Sequence, residues 1–136
     1  MSLLRILDIA NSAITVQSQK MNVHANNLAN IDSLVNRHGK LYPYIAKKVI
    51  LKFDTSRNTG YGGVKIQDIV EDTTPLKTIY DPNNPISDSK GFAKISNVNL
   101  ITEMVSAIAT SRSYQANLEI LNTAKSMIMK TLTIGQ

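Results

Sequence analysis

Two long, nearly charge-free amphipathic segments stand at the ends of this sequence, and they constrain the fold more than anything between them. Residues 3–31 carry only Arg5, Asp8 and Lys20 as charges, and residues 97–134 only Glu103, Arg112, Glu119, Lys125 and Lys130. A helix packed on one side and wet on the other normally lines its outer face with Lys, Glu and Arg. Here that face holds Asn, Ser, Thr, Gln and further apolar residues. The pattern predicts helices covered on more than one side, and so a chain that works inside an assembly.

In the first segment Leu7, Ile14, Met21 and Leu28 recur every seven residues, with Leu3, Ala10, Gln17, His24 and Ile31 at the paired offset. This is a coiled-coil-like seam with a polar middle. Ile9, Val16 and Val23 add a second apolar row. Ser2 is the expected N-cap, and Asn30, Asp32 and Ser33 the stop. In the last segment Met104, Ala107, Ser111, Tyr114, Leu118, Leu121, Lys125, Ile128 and Leu132 alternate spacings of three and four, again a heptad stripe. Ile101, Val105 and Ile108 form its second row, and Gly135 is the expected terminator.

The middle holds every proline and every glycine but Gly135. Residues 44–53 are rich in β-branched and aromatic side chains and read as a strand. Gly60-Tyr61-Gly62-Gly63 reads as a turn, Val64, Ile66, Ile69 and Val70 as a second strand, residues 76–80 as a third and Phe92, Ala93 and Ile95 as a short last one. Residues 81–85, with two prolines and two asparagines, form a loop. The expected fold is α+β: long N- and C-terminal helices packed as an antiparallel, coiled-coil-like pair with a small β-rich insert between them. The expected division is residues 1–32 (N-terminal helix), 33–96 (insert) and 97–136 (C-terminal helix).

At 136 residues there is room for one modest core. No apolar run approaches the roughly 20 residues of a membrane span. The N-terminus lacks the pattern of a cleaved secretory signal, so the expected routes are retention in the cytoplasm or export without such a signal. The absence of cysteine removes disulfides and thiolate chemistry. The net charge of +5 comes largely from residues 40–65, mixed with acidic residues, with no basic helix face or stacking platform for nucleic acid. His24 and His38 have no ligand cluster around them. No serine sits in a nucleophile elbow, and the glycines make no phosphate loop. No catalytic, metal or cofactor site is expected, and the chain does not read as an enzyme.

Asparagine is the informative residue type. Asn22, Asn26, Asn27 and Asn30 crowd the end of the first helix, although Asn is a mediocre helix former. Capping and fraying are one reading. The other, favoured because Leu28 and Ala29 continue the apolar stripe, is that these amides set register against neighbouring subunits.

Asn27-Leu28-Ala29-Asn30, closing an amphipathic N-terminal helix, resembles the N-L-A-N signature of the flagellar rod and hook protein family. At the other end Asn97-Val98-Asn99-Leu100, Glu103-Met104-Val105, residues 111–117 (SRSYQAN) and residues 121–125 (LNTAK) are similar to the C-terminal helix of the same family. The two motifs at opposite ends of so short a chain are highly specific together. The length, Tyr80-Asp81-Pro82 and Gly91-Phe92 point within the family to a proximal rod subunit. The resemblance covers both ends fully and the middle more loosely. Many relatives follow the signature with a T-x-G-Y-type turn, whereas Ile31-Asp32-Ser33 follows it here, and Ile45-Ala46-Lys47-Lys48 stands where relatives often have more arginine.

The resemblance implies a structural subunit that stacks helically into the rod of the bacterial flagellar basal body. It implies as partners the chain itself, the rod proteins FlgB, FlgF, FlgG and FliE, and the flagellar type III export apparatus. Residues expected to pack within or between subunits are Leu7, Ile14, Met21, Asn26, Asn27, Leu28, Asn30, Met104, Tyr114, Gln115, Asn117, Leu118, Leu121, Asn122, Ile128 and Leu132. The seam stripes are expected to join the two helices of one subunit, and the second apolar rows to meet neighbours. Before assembly the helices should be partly disordered. A coiled-coil adaptor or secretion chaperone is the competing class, although it would need no β insert. Another rod subunit is the nearest alternative.

Overall fold

A computed structural model describes residues 3–54 and 62–135. The elements are α1 (Leu3–Ala29), β1 (Leu34–Arg37), β2 (Lys40–Pro43), β3 (Lys47–Phe53), β4 (Val64–Glu71), β5 (Lys77–Tyr80), β6 (Phe92–Ile95) and α2 (Leu100–Ile134). The fold is the expected α+β arrangement of two long helices flanking small strand pairs. Ser2 and the Gly60-Tyr61 part of the expected turn lie outside the described residues. α2 starts on Asn99, whose side-chain oxygen accepts from the amides of Ile101 and Thr102, so two otherwise unpaired donors of the first turn are satisfied.

The helices run antiparallel: His24, near the end of α1, meets Glu103, near the start of α2, and Ile6 lies beside Ala124. The seam on α2 is not the whole stripe expected from the large apolar residues. Ala107, Tyr114, Leu121 and Ile128 are half-buried as expected. The row beside them is Glu103, Thr110, Asn117 and Ala124, with Thr110 and Ala124 buried. Met104, Leu118 and Leu132 remain exposed, as does Lys125. Apolarity marks the bulkier row, but small side chains are what let two helices approach closely.

Two of the three residues in the second row of α1 also depart from expectation, while Ile9 stays exposed. Val16 and Val23 are buried inside the chain, where the sequence suggested contact with neighbours. They are covered by the β3–β4 ribbon: Ser12, four residues before Val16, accepts from the amide of Val64, and Asn27, four residues after Val23, bonds to Lys47. Gly63 sits against the Ser12 side chain, where a Cβ would collide.

A bulge shifts the register of the ribbon. Ile50 pairs with Asp68 but Leu51 with Ile66, leaving Gln67 as the extra residue. Without it Ile66 and Ile69, three apart, would point to opposite faces. With it Val49, Leu51, Phe53, Val64, Ile66 and Ile69 share one face with Lys47 and Glu71, and Lys48, Ile50, Lys52, Lys65, Asp68 and Val70 take the other.

Two shorter hairpins complete the insert. β1 and β2 turn at His38 (φ 54°) and Gly39 (φ 80°), and a two-residue turn with both φ positive matches the strand twist. This hairpin was not legible as strands, because His-Gly replaces the usual Asn-Gly. β5 and β6 are antiparallel, with Tyr80 and Phe92 packed edge to face, their centroids 5.4 Å apart.

Everything meets at one junction. Tyr44, Ala46 and Val98 form the small core with Ile31 against it, and Asn27 is fully buried beside it. The Asn27 oxygen accepts from the Tyr44 hydroxyl at 3.0 Å and the Lys47 amide at 2.9 Å, and its Nδ2 donates to the Lys47 carbonyl at 2.9 Å. Asn97 repeats the device from the other end: its oxygen accepts from the Ala46 amide, and its Nδ2 donates to the carbonyls of Asp72 and Thr74. Asn27→Ala leaves the Lys47 amide and carbonyl without these partners, and a buried polar group without a partner costs about 1–3 kcal/mol. Urea denaturation followed by circular dichroism should show a loss of about 2–4 kcal/mol, against under about 1 kcal/mol for Asn30→Ala, whose amide bonds to the Asn26 carbonyl of its own helix turn.

Candidate assembly surface

The residues expected to pack fall into three groups. Asn27 is buried and its amide is engaged within the chain. Leu7, Ile14, Met21, Leu28, Asn30, Tyr114, Asn117, Leu121 and Ile128 are half-buried. Asn26, Met104, Gln115, Leu118, Asn122 and Leu132 are exposed. Asn27, Asn97 and Asn99 therefore organise the subunit itself, which corrects the reading of the asparagines as a set aimed at neighbours. Of the N-terminal cluster, Asn22 and Asn26 keep exposed side chains.

A run of uncovered apolar side chains lies along α2. Ile101, Val105 and Ile108 form one ridge, 73%, 61% and 56% exposed. At 100° per residue they lie on the face opposite Thr110 and the α1 seam. Ile120, Met127 and Met129 add more in the second half, and Ile134 near the end is 85% exposed. A helix apolar on all sides is normally buried on all sides, yet this chain covers only one side of it.

Between Ile6 on α1 and Ile120, Thr123, Ala124 and Met127 on α2 lies an apolar notch of about 300 Å³. A second depression, of about 440 Å³, opens where α1, α2 and β3 converge. It is lined by Lys20, Lys47 and Lys48 together with Ser106, Thr110 and Ser113. His24 and Glu103 also line it, with His24 Nδ1 2.6 Å from Glu103 Oε2 and both side chains mostly shielded. An ionised carboxylate only accepts, so Nδ1 carries the hydrogen. The pairing spans 79 residues, and no local pattern signals it. Burial pushes the Tyr44 hydroxyl above its usual range, aided by the negative charges of Glu103 and Glu71.

Among the described residues no group of His, Asp and Glu could hold a metal ion. No helix among them is long and apolar enough to cross a membrane.

Two predictions concern the electrostatics. In a double-mutant cycle on His24→Ala and Glu103→Ala, the unfolding energies should show a coupling of about 1.5–3 kcal/mol, the range for a hydrogen bond to a charged group; additivity would show the pair to be idle. Hydrogen bonds from Lys48 and Thr74 hold the Asp72 carboxyl below its ordinary value of 3.8. Its contribution is therefore complete above the unfolded value and is lost as the pH falls through the lower folded one. The acid limb of a melting-temperature profile should flatten in Asp72→Asn.

Comparisons with known proteins bear on what this surface is for. Residues 89–134 match the family described as the C-terminal region of the flagellar basal body rod FlgEFG proteins, a stretch spanning β6 and α2. Over the full length of both chains, the sequence is 61% identical to the flagellar basal-body rod protein FlgC of Buchnera aphidicola from Acyrthosiphon pisum. Over the same full-length coverage it is 51% identical to the FlgC of Escherichia coli O157:H7 and 48% to that of Salmonella typhimurium LT2.

Proposed function

Because the chain belongs to the FlgC family of flagellar basal-body rod proteins, we propose that it is a structural subunit of the proximal rod. It polymerises helically through α1 and α2 and helps carry torque from the motor to the hook. The family is structural, and the reading includes no catalytic step.

The observation that carries the reading is the unequal covering of the two helices. α1 is covered on one side by α2 and on another by the β3–β4 ribbon. Among the described residues α2 is covered mainly by α1 and leaves Ile101, Val105, Ile108, Leu118, Ile120, Met127 and Leu132 in water. Each square ångström of apolar surface removed from water is worth about 25 cal/mol, so packing α2 among neighbours supplies cohesion that the single chain lacks. Torque is then resisted by many such contacts in parallel. The exposed amides of Asn22, Asn26 and Asn122 set register across them.

The proposed partners are further copies of this chain and the rod proteins FlgB, FlgF, FlgG and FliE. The proposed route is export by the flagellar type III apparatus without a cleaved signal, into the periplasmic part of the basal body. An adaptor or chaperone role is not favoured, since the relatives are rod proteins along their whole length.

Mass spectrometry of purified hook–basal bodies should find the chain at a fixed ratio of several copies to the other rod proteins. Its absence there would overturn the reading. Leu118→Asp places a charge on the exposed flank of α2, so it should abolish motility while leaving expression intact; swimming cells would remove this surface from the interface.

A further inference from the structure

The cleft where α1, α2 and β3 converge gathers polar groups that the chain leaves unmatched. Lys20 and Lys47 line it, and neither ammonium has a partner among the described residues. Lys48, also in the wall, reaches Asp72 at 2.8 Å while its side chain stays 63% exposed. Glu103 is the one acidic group in the described lining, and His24 engages it. Gln17 lines the cleft too, and its side-chain oxygen is buried with no hydrogen-bond partner among the described residues. Buried polar atoms are nearly always paired, so an orphan in a native structure marks a site to be explained. The edge of β3 adds two more groups. The Ala46 carbonyl accepts from the Asp72 amide across the ribbon at 2.7 Å. The amide and carbonyl of Lys47 therefore turn the other way, where Asn27 meets them, since antiparallel pairing alternates in this manner. Val49, two residues on and ahead of the bulge, turns the same two groups away from β4. It lines the cleft, and no hydrogen bond meets its outward groups among the described residues.

We infer that the cleft receives a short, extended, acidic segment of a different rod protein, whose main chain joins the edge of β3 at Val49 and whose carboxylate lies among Lys20 and Lys47. This rests on the assembly reading above and names the chemistry of one partner. The lysines select a negative group, and complementary charge across an interface chooses the partner and its register. A free inorganic anion has no hydrogen to give to the Gln17 oxygen or the Val49 carbonyl. A peptide brings N–H donors and carbonyl acceptors together, as strand addition to a free sheet edge requires. The volume of about 440 Å³ is that of a ligand cleft, suited to a few residues of chain rather than to a folded face. A second copy matches poorly. Its net charge is +5, and carboxylates in its strand region are already engaged: Asp54 with Lys65, Glu71 with Arg37 and Asp72 with Lys48.

A carbodiimide joins an amine to a carboxylate in direct contact, with no spacer between them. Isolated basal bodies treated with it, digested and analysed by mass spectrometry should yield Lys20 or Lys47 coupled to an Asp or Glu of another rod protein. Basal bodies that hold the chain but give no such coupling at either lysine would overturn the inference and leave the rod assignment intact, and so would coupling to a second copy. Basal bodies that lack even the unaltered chain would overturn the rod assignment, and this inference with it. Two variants separate docking from a role in the subunit's own fold. Gln17→Leu removes an unpaired buried oxygen, so the urea midpoint of the isolated chain should hold or rise, while incorporation into basal bodies falls. Lys20→Glu/Lys47→Glu reverses two charges that have no partner within the chain. It should keep the urea midpoint and cut incorporation about tenfold or more, and Lys20→Arg/Lys47→Arg should incorporate normally. Normal incorporation of the charge-reversed chain would overturn the docking.

Discussion

The buried amide of Asn27 is the interaction on which the rest of the structure depends. Its oxygen receives the Tyr44 hydroxyl and the Lys47 amide, and its nitrogen gives to the Lys47 carbonyl. One side chain thus continues the hydrogen bonding of β3 into the last turns of α1. An apolar residue of similar size would fill the space but leave the strand's outer edge unsatisfied, which is expensive in a buried site. Asn97 plays the corresponding part just before α2, so both helices are anchored to the strand region at one end of the molecule. The His24–Glu103 pair then fastens the helices to each other beside that anchor.

From this fixed end the helices extend outwards with declining support. α1 has the ribbon along much of its length, held at Asn27 and again at Ser12. Among the described residues α2 has mainly α1, and its last residues are exposed. Loss of contacts with distance from an anchor lowers local stability. The same arrangement leaves apolar surface available at the far end and along the outer face of α2. A subunit built in this way is well defined where it holds itself together and incomplete where it must join others.

The helices, the main ribbon and the final strand pair were legible from periodicity and composition, because long amphipathic patterns and β-branched runs are local signals. The β1–β2 hairpin was not, since His38-Gly39 is a weak turn signature and its strands are only four residues each. The choice between adjacent rows on α2 was also not legible. Hydrophobicity points to Met104 and Leu118, whereas close helix approach selects Thr110 and Ala124. The asparagines were singled out correctly as unusual, but the partners of Asn27 and Asn97 lie 17 to 51 residues away. Residue type alone cannot separate an amide that organises its own chain from one offered to a neighbour. The bulge at Gln67 is a register shift that sequence periodicity does not encode.

The central claim is that neighbouring copies complete the surface of α2. Amide hydrogen exchange, measured along the chain in the isolated protein and again in assembled basal bodies, tests it most directly. The account predicts slow exchange for residues 16–27 in both states. It predicts fast exchange for the second half of α2 in the isolated chain, slowed at least tenfold on assembly. Equal exchange of α2 in the two states would contradict it.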